Sequence, residues 1–186
     1  MRGDPYVLNE LAESLVCDWY DGRIYTEHDM QSSAYFHLRQ YFNRERNHSW
    51  ILRNQPTITL GPNRPTIKPD FGVFRNTKLY DVYELKCLLG VDLDAAAEGR
   101  IDADLAKIKS ASRDIDIRHA YFILVCDDCN GYRFDRRSND WSHGLLSVVV
   151  ANVYCHLDSG RKRRGYDAAR SRYDNWKHKH SRTSCQ

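Results

Sequence analysis

Long apolar runs are missing from this chain. No stretch approaches the ~20 apolar residues of a membrane-spanning helix, and the opening MRGDPYVLNELAESLVCDWY has no uninterrupted apolar segment of the secretory-leader kind. The expectation is a soluble intracellular protein, cytoplasmic if the source is prokaryotic. Cysteine is also sparse: six residues (Cys17, Cys87, Cys126, Cys129, Cys155 and Cys185) in 186, mostly within apolar segments, which predicts buried thiols and not a disulfide scaffold. Cys126 and Cys129 have the spacing of half a zinc site, but neither His119 nor Cys155-His156 completes it at a recognisable spacing. A zinc-stabilised binding module is therefore the weaker of the readings that the cysteines allow. Internal repeats and low-complexity tracts are absent as well, apart from a basic C-terminal stretch.

What is present is globular. Aromatic residues make up 12% and charged residues 28%, a composition unlike that of disordered chains. The length suits one domain over residues 1–160, with a core at about 24–126, followed by a basic tail or helix at 161–186. Charge divides at that boundary. Residues 161–186 hold nine Lys and Arg against two Asp, a net +7, whereas residues 1–160 hold 19 against 23, a net −4. A cationic arm on a mildly acidic body predicts a polyanionic partner, nucleic acid first. On that reading the tail is removable without cost to the fold; the alternative is a solvated terminal helix with no function of its own.

Periodicity places the elements. Tyr6 to Tyr20 is amphipathic and reads as a helix. A second helix has Thr26 as N-cap and Asp29 at the capping-box position, then Met30, Ala34 and Leu38 on one face. Glu27 and Gln31 lie on this helix one turn apart, and an acid at Glu27 also suits the helix N-terminus. Residues 50–60 read as a strand that Pro56 interrupts or confines to an edge, and 61–65 as a loop. Two further strands, 66–75 and 78–88, flank Asn76-Thr77. Ile101, Leu105 and Ile108 form a helical stripe, Ala120 to Cys126 reads as a strand covered on both faces, and 144–156 leans towards helix on length.

The segment IKPDFGVFRNTKLYDVYELKC places charges where the pattern asks for buried strands. If its strands pair antiparallel about Thr77, residues whose numbers sum to 154 face one another: Phe74 with Tyr80, Gly72 with Val82, Asp70 with Glu84. Alternation then puts both carboxylates on one face, with Lys86 two residues further along it. Carboxylates that close repel, and each pKa rises unless a cation lies between them. Oxygen ligands favour hard ions such as Mg²⁺ or Mn²⁺, and Mg²⁺ typically takes one or two carboxylates while keeping positions for water and phosphate oxygens. An ammonium beside them, Lys86, steadies charge developing on phosphorus. The alternative is an ordinary salt bridge from Lys86 to Asp70 or Glu84, a poor stabiliser when buried.

Pro69-Asp70 followed by Glu84-Leu85-Lys86 resembles the signature of the PD-(D/E)XK nuclease superfamily. The resemblance covers residues 26 to 126 and not the tail. It implies an α/β, restriction-endonuclease-like fold: a central mixed four-stranded sheet flanked by helices in the order α-β-β-β-α-β. It implies Asp70 and Glu84 as metal ligands, the Leu85 carbonyl as a backbone ligand, Lys86 as the catalytic lysine, and Glu27 as the acid that many members carry on the first helix. A polar residue on the helix after the third strand assists some members; Lys107 is the candidate, with Asp104 and Lys109 as rivals and Gln31 as a further auxiliary. The implied activity is Mg²⁺- or Mn²⁺-dependent endonucleolytic hydrolysis of DNA, with RNA as second choice and a homodimer or partner subunit completing double-strand cleavage. Arg64 and Lys68, near Asp70, and Arg161, Lys162, Arg163 and Arg164 in the tail are the expected phosphate contacts, while Tyr166, Tyr173 and Trp176 either stack on bases or pack a terminal helix. The competing function is a nucleic-acid-binding or assembly protein of the same fold that has lost catalysis.

Overall fold

The computed structural model describes residues 5–44, 50–61, 66–89, 95–114, 117–126, 146–153 and 161–181. In chain order the elements are α1 (Pro5–Tyr20), α2 (Glu27–Arg44), β1 (Trp50–Asn54), β2 (Ile58–Thr59), β3 (Thr66–Ile67), β4 (Phe71–Arg75), β5 (Lys78–Leu88), α3 (Ala95–Asp114), β6 (His119–Cys126), β7 (Leu146–Asn152) and α4 (Arg161–Ser181). This is an α/β architecture with a five-stranded mixed sheet, order β1-β4-β5-β6-β7, and a separate two-stranded ribbon, β2-β3. β1, β4 and β5 pair antiparallel; β6 and β7 continue parallel to β5. Among the described residues no helix is long and apolar enough to cross a membrane.

Each sheet face has its own apolar cluster, because β-strand side chains alternate. Phe71, Val73, Tyr83, Leu85, Tyr121, Ile123 and Val125 meet Leu15, Trp19, Met30, Ala34 and Leu38 of α1 and α2. On the opposite face Val82, Leu88, Ala120, Phe122 and Leu124 meet Ile101, Leu105 and Ile108, the stripe expected on α3. All of Ala120 to Cys126 is buried, as a strand covered on both faces requires.

The turns that orient α2 follow from local chemistry. α1 ends in a Schellman-type cap: Arg23 N–H donates to the Asp18 carbonyl at 2.8 Å and Gly22 N–H to the Trp19 carbonyl at 3.0 Å, with Gly22 at φ 74°. α2 begins with the expected capping box, since Asp29 N–H donates to Thr26 Oγ1 at 3.1 Å while Thr26 N–H donates back to Asp29 Oδ2 at 2.9 Å. The two helices are joined by buried Asp18, which accepts from Arg23 and His37 at 2.9 Å each and from Ser33. Burial pushes the Asp18 pKa up, but the Ser33 and His37 hydrogen bonds and the His37 and Arg23 charges outweigh it, and the net shift is downward.

Several expectations are corrected. Residues 144–156 are not helical where described: Leu146–Asn152 is strand β7, buried at Leu146, Val148 and Ala151 beside β6, so valine content prevails over segment length. Among the described residues the sheet therefore has five strands and not four. The run 50–60 divides at Gln55 (φ 43°) and Pro56 into β1 and β2, and 66–75 divides into β3 and β4, with the detached pieces pairing with each other. Cys17 is exposed and Cys87 half-buried, whereas Cys126 is buried; Cys129, Cys155 and Cys185 lie outside the described residues. The basic tail is helix α4 over its described length, and Ala169 and Tyr173 are buried in the cluster with α1 and α2. Two of its side chains thus pack in the core, unlike those of a wholly solvated arm.

Candidate metal and phosphodiester site

The β4–β5 hairpin turns at Asn76-Thr77, both at positive φ (48° and 67°), as a two-residue turn of the primed kind requires. A bulge between Val73 and Phe74 places Leu79, and not Tyr80, opposite Phe74. Beyond the bulge the register sums to 154 as expected, pairing Val73 with Asp81, Gly72 with Val82 and Phe71 with Tyr83. Asp70 is the next residue out. Its backbone carbonyl accepts from Gln55 N–H at 2.8 Å, and at Gly72 a Cβ would meet Pro56 Cγ at 2.8 Å, so glycine is what lets the β1 kink lie against β4.

Asp70 and Glu84 are buried, at 8% and 4% exposure, which is unusual for carboxylates outside a functional site. Asp70 Oδ2 accepts the Leu85 backbone N–H at 2.7 Å, and its Oδ1 accepts from Gln31 Nε2 of α2, also at 2.7 Å. Lys107 of α3 forms an ion pair with Glu84 Oε1 and lies 3.6 Å from Asp104 Oδ1. Among the described residues Glu84 Oε2 is buried without a hydrogen-bond partner. Lys86, two residues on, reaches Asp104 Oδ2 at 3.1 Å and Glu27 Oε2 at 3.4 Å. The salt bridge expected as the alternative, to Asp70 or Glu84, is replaced by these two partners from flanking helices.

Electrostatics follow the geometry. Burial is the main cause that raises the Asp70 pKa to about 6; Glu27 and Asp104 push the same way, while the Leu85 amide and Lys107 oppose it. Glu84 is raised to about 7, first by burial and next by Asp70, against the hydrogen bond and charge of Lys107. For Lys86 burial disfavours the ammonium, but Asp104 and Glu27 outweigh it and the pKa lies above the ordinary lysine value. The site thus holds two strained carboxylates and a firmly protonated lysine.

The donor set fits a hard divalent cation. Among the described residues no group of three or more His, Cys, Asp or Glu side chains is gathered as a complete cage. Two carboxylates suffice for Mg²⁺, which leaves other positions to water and substrate. The orphaned Glu84 Oε2 and the raised pKa values are what such an ion relieves.

Of the expected residues, the structure gathers Asp70, Glu84, Lys86, Glu27, Gln31, Lys107 and the Leu85 backbone. Glu27 meets Lys86 and not the carboxylate pair directly. Lys68 is exposed on the link from β3 to β4, Lys109 is half-buried on α3, and Arg164 and its basic neighbours 161–163 form the first turn of α4. Arg64 lies outside the described residues. Asp104, a rival to Lys107 in the sequence, proves to be the shared partner of both lysines, a role its position on a helix could not reveal alone. No family model, curated protein or solved structure matches this chain.

Proposed function

We propose that the protein is a metal-dependent endonuclease of restriction-endonuclease-like fold that hydrolyses phosphodiester bonds of DNA. The observation that carries the reading is the buried pair Asp70 and Glu84, with the partnerless Glu84 Oε2, next to Lys86. The element order supports it: α2, then antiparallel β1, β4 and β5, then α3, then β6 parallel to β5. Asp70, Glu84 and the Leu85 carbonyl would hold Mg²⁺ or Mn²⁺, whose chemistry is to acidify a bound water and polarise a phosphoryl oxygen. Gln31 and the Leu85 amide orient Asp70 for that task. Lys86 supplies positive charge where the pentavalent phosphorus becomes more anionic, and Asp104 and Glu27 hold its ammonium in place. A water oxygen would add to phosphorus as the bond to one ester oxygen breaks, the water giving up a proton to solvent and the departing oxygen taking one up to become a hydroxyl.

One observation favours the second reading, a nucleic-acid-binding or assembly protein of the same fold without catalysis: Lys107 already neutralises Glu84, and Lys86 is engaged by two acids. The two readings separate in one experiment. Linear, nicked, branched and single-stranded DNA are incubated with Mg²⁺ or Mn²⁺ and with wild type or Lys86→Ala. Metal-dependent cutting lost in the variant upholds the nuclease; absence of cutting by a folded wild type that binds the metal upholds the second reading.

A further inference from the structure

We infer that α4 is a docked platform for the DNA phosphate backbone, fastened beside the mouth of the Asp70–Glu84 site. The helix is anchored at three points. Ala169 and Tyr173 are buried in the core shared with α1 and α2, and Tyr173 Oη donates to the Leu89 carbonyl at 2.8 Å. The Arg172 guanidinium donates to the carbonyl of Tyr20, the last residue of α1, where a cation also meets the negative end of the helix dipole. Tyr25, in the α1–α2 turn, stacks on Tyr173 and Trp176 with centroids 6.4 and 5.3 Å apart and interplanar angles of 20° and 13°.

Those anchors adjoin the site residues along the chain. Tyr25 is two residues before Glu27, and Leu89 is three residues after Lys86. An extended chain covers at most ~7 and ~11 Å over such separations. Tyr173 and Trp176 thus serve in packing, and the helix is held against the very segments that carry Glu27 and Lys86.

Its charge says what it faces. α4 contains eight Lys and Arg against two Asp, a net +6. Asp167, Ser171, Asp174, Asn175, His178 and Lys179 are exposed, on the side away from buried Ala169 and Tyr173; Asp174 is paired with Arg170 at 3.2 Å, and position 164 falls one heptad before Ser171. At 1.5 Å per residue its 21 residues extend about 32 Å, roughly nine base-pair steps of duplex. A duplex carries one charge per ~1.7 Å of axis, so a cationic rod of that length suits one face of it. A free arm would add affinity alone; a docked helix also sets where the backbone lies relative to Asp70.

The inference rests on the nuclease reading only for the identity of the polyanion, and the two fail separately. Binding of a fluorescent 20-base-pair duplex is measured in EDTA across a salt series, where cleavage does not enter. The combined variant Arg163→Ala, Arg164→Ala, Lys179→Ala is expected to bind at least about tenfold more weakly, with the slope of log K on log salt reduced by about 3. A control that removes three charges at the opposite end of the sheet, Arg75→Ala, Lys78→Ala, Arg113→Ala, is expected to keep the wild-type slope. Circular dichroism melts verify that both variants are folded. Asp70→Asn is expected to abolish cutting and to bind the duplex in EDTA at least as tightly as wild type. Equal slopes for the α4 variant and wild type, or equal losses in the α4 variant and the control, overturn the platform. Absence of cutting by wild type alongside the expected binding pattern overturns the nuclease reading and leaves the platform standing.

Discussion

Asp70 accepts a hydrogen bond from the backbone amide of Leu85 at 2.7 Å, so one candidate metal ligand is fixed by the residue immediately after the other. The register of the β4–β5 hairpin therefore sets the site directly, with no long side chain in between. A one-residue slip would carry Glu84 and Lys86 to the opposite face of the sheet and dismantle the arrangement.

The roles of the three charged residues separate by measurement. Asp70→Asn and Glu84→Gln are expected to lower the cleavage rate on the order of 10³-fold and to weaken Mg²⁺ binding, because each removes a ligand charge. Lys86→Ala is expected to lower the rate by about 10²–10³-fold with metal affinity near wild type. Single-turnover cleavage paired with calorimetric Mg²⁺ titration checks both; loss of metal binding in Lys86→Ala would remove its assignment as a charge-stabilising group.

Metal binding is expected to strengthen with pH. Asp70 and Glu84 are raised to about 6 and about 7, so at pH 5 both are largely protonated and must lose protons to accept a cation. Only well above pH 7, where Glu84 is also ionised, does that competition end. Thermal melts with and without Mg²⁺ should show a small shift at pH 5 and a larger one at pH 8, amounting to about 2.7 kcal/mol at a hundredfold excess over Kd.

Gln31 tests the support of the site. Its Nε2 hydrogen bond to Asp70 favours the ionised carboxylate, and Gln31→Ala removes it while the Leu85 amide remains. The expected results are a further rise in the Asp70 pKa, severalfold weaker Mg²⁺ binding, and a stability change of about 1 kcal/mol. Titration of the Asp70 carboxyl by NMR reads the first of these directly.

Asp81 gives a pH dependence of stability independent of the site. Burial raises its pKa to about 6 from 3.8, against the Arg118 charge and the His119 amide, and among the described residues its Oδ1 is buried without a hydrogen-bond partner. A raised carboxyl pKa means the folded state binds the proton more tightly than the unfolded state. The penalty is absent below pH 3.8, grows to about pH 6 and is constant above it, reaching about 3 kcal/mol. Asp81→Asn should therefore leave stability unchanged near pH 3.5 and raise it at pH 7, as followed by urea unfolding at both pH values.

Local chemistry is legible in one dimension, and so the elements built on it were legible too. The Thr26–Asp29 capping box, the Ile101-Leu105-Ile108 stripe, the Asn76-Thr77 turn and the apolar run into Cys126 each depend on neighbours a few residues away. Asp70, Glu84 and Lys86 were legible for a related reason: a hairpin register converts sequence separation into a cross-strand pair.

Other features depend on partners far along the chain. Strand β7 is a strand because β6 offers it an edge, and no periodicity in 144–156 expresses that. Ala169 and Tyr173 belong to the core because α1, α2 and the end of β5 converge where α4 passes, although the composition of residues 161–186 suggests a solvated arm. The sharing of Asp104 between Lys86 and Lys107, and the burial that lifts two carboxyl pKa values, arise only when α3 closes over the hairpin. By itself the sequence determined which charged residues meet across one hairpin, because pairing geometry is local; the tertiary structure alone decided how deeply they are buried and which charges answer them, because burial and long-range Coulomb contacts depend on chain segments the local pattern does not encode.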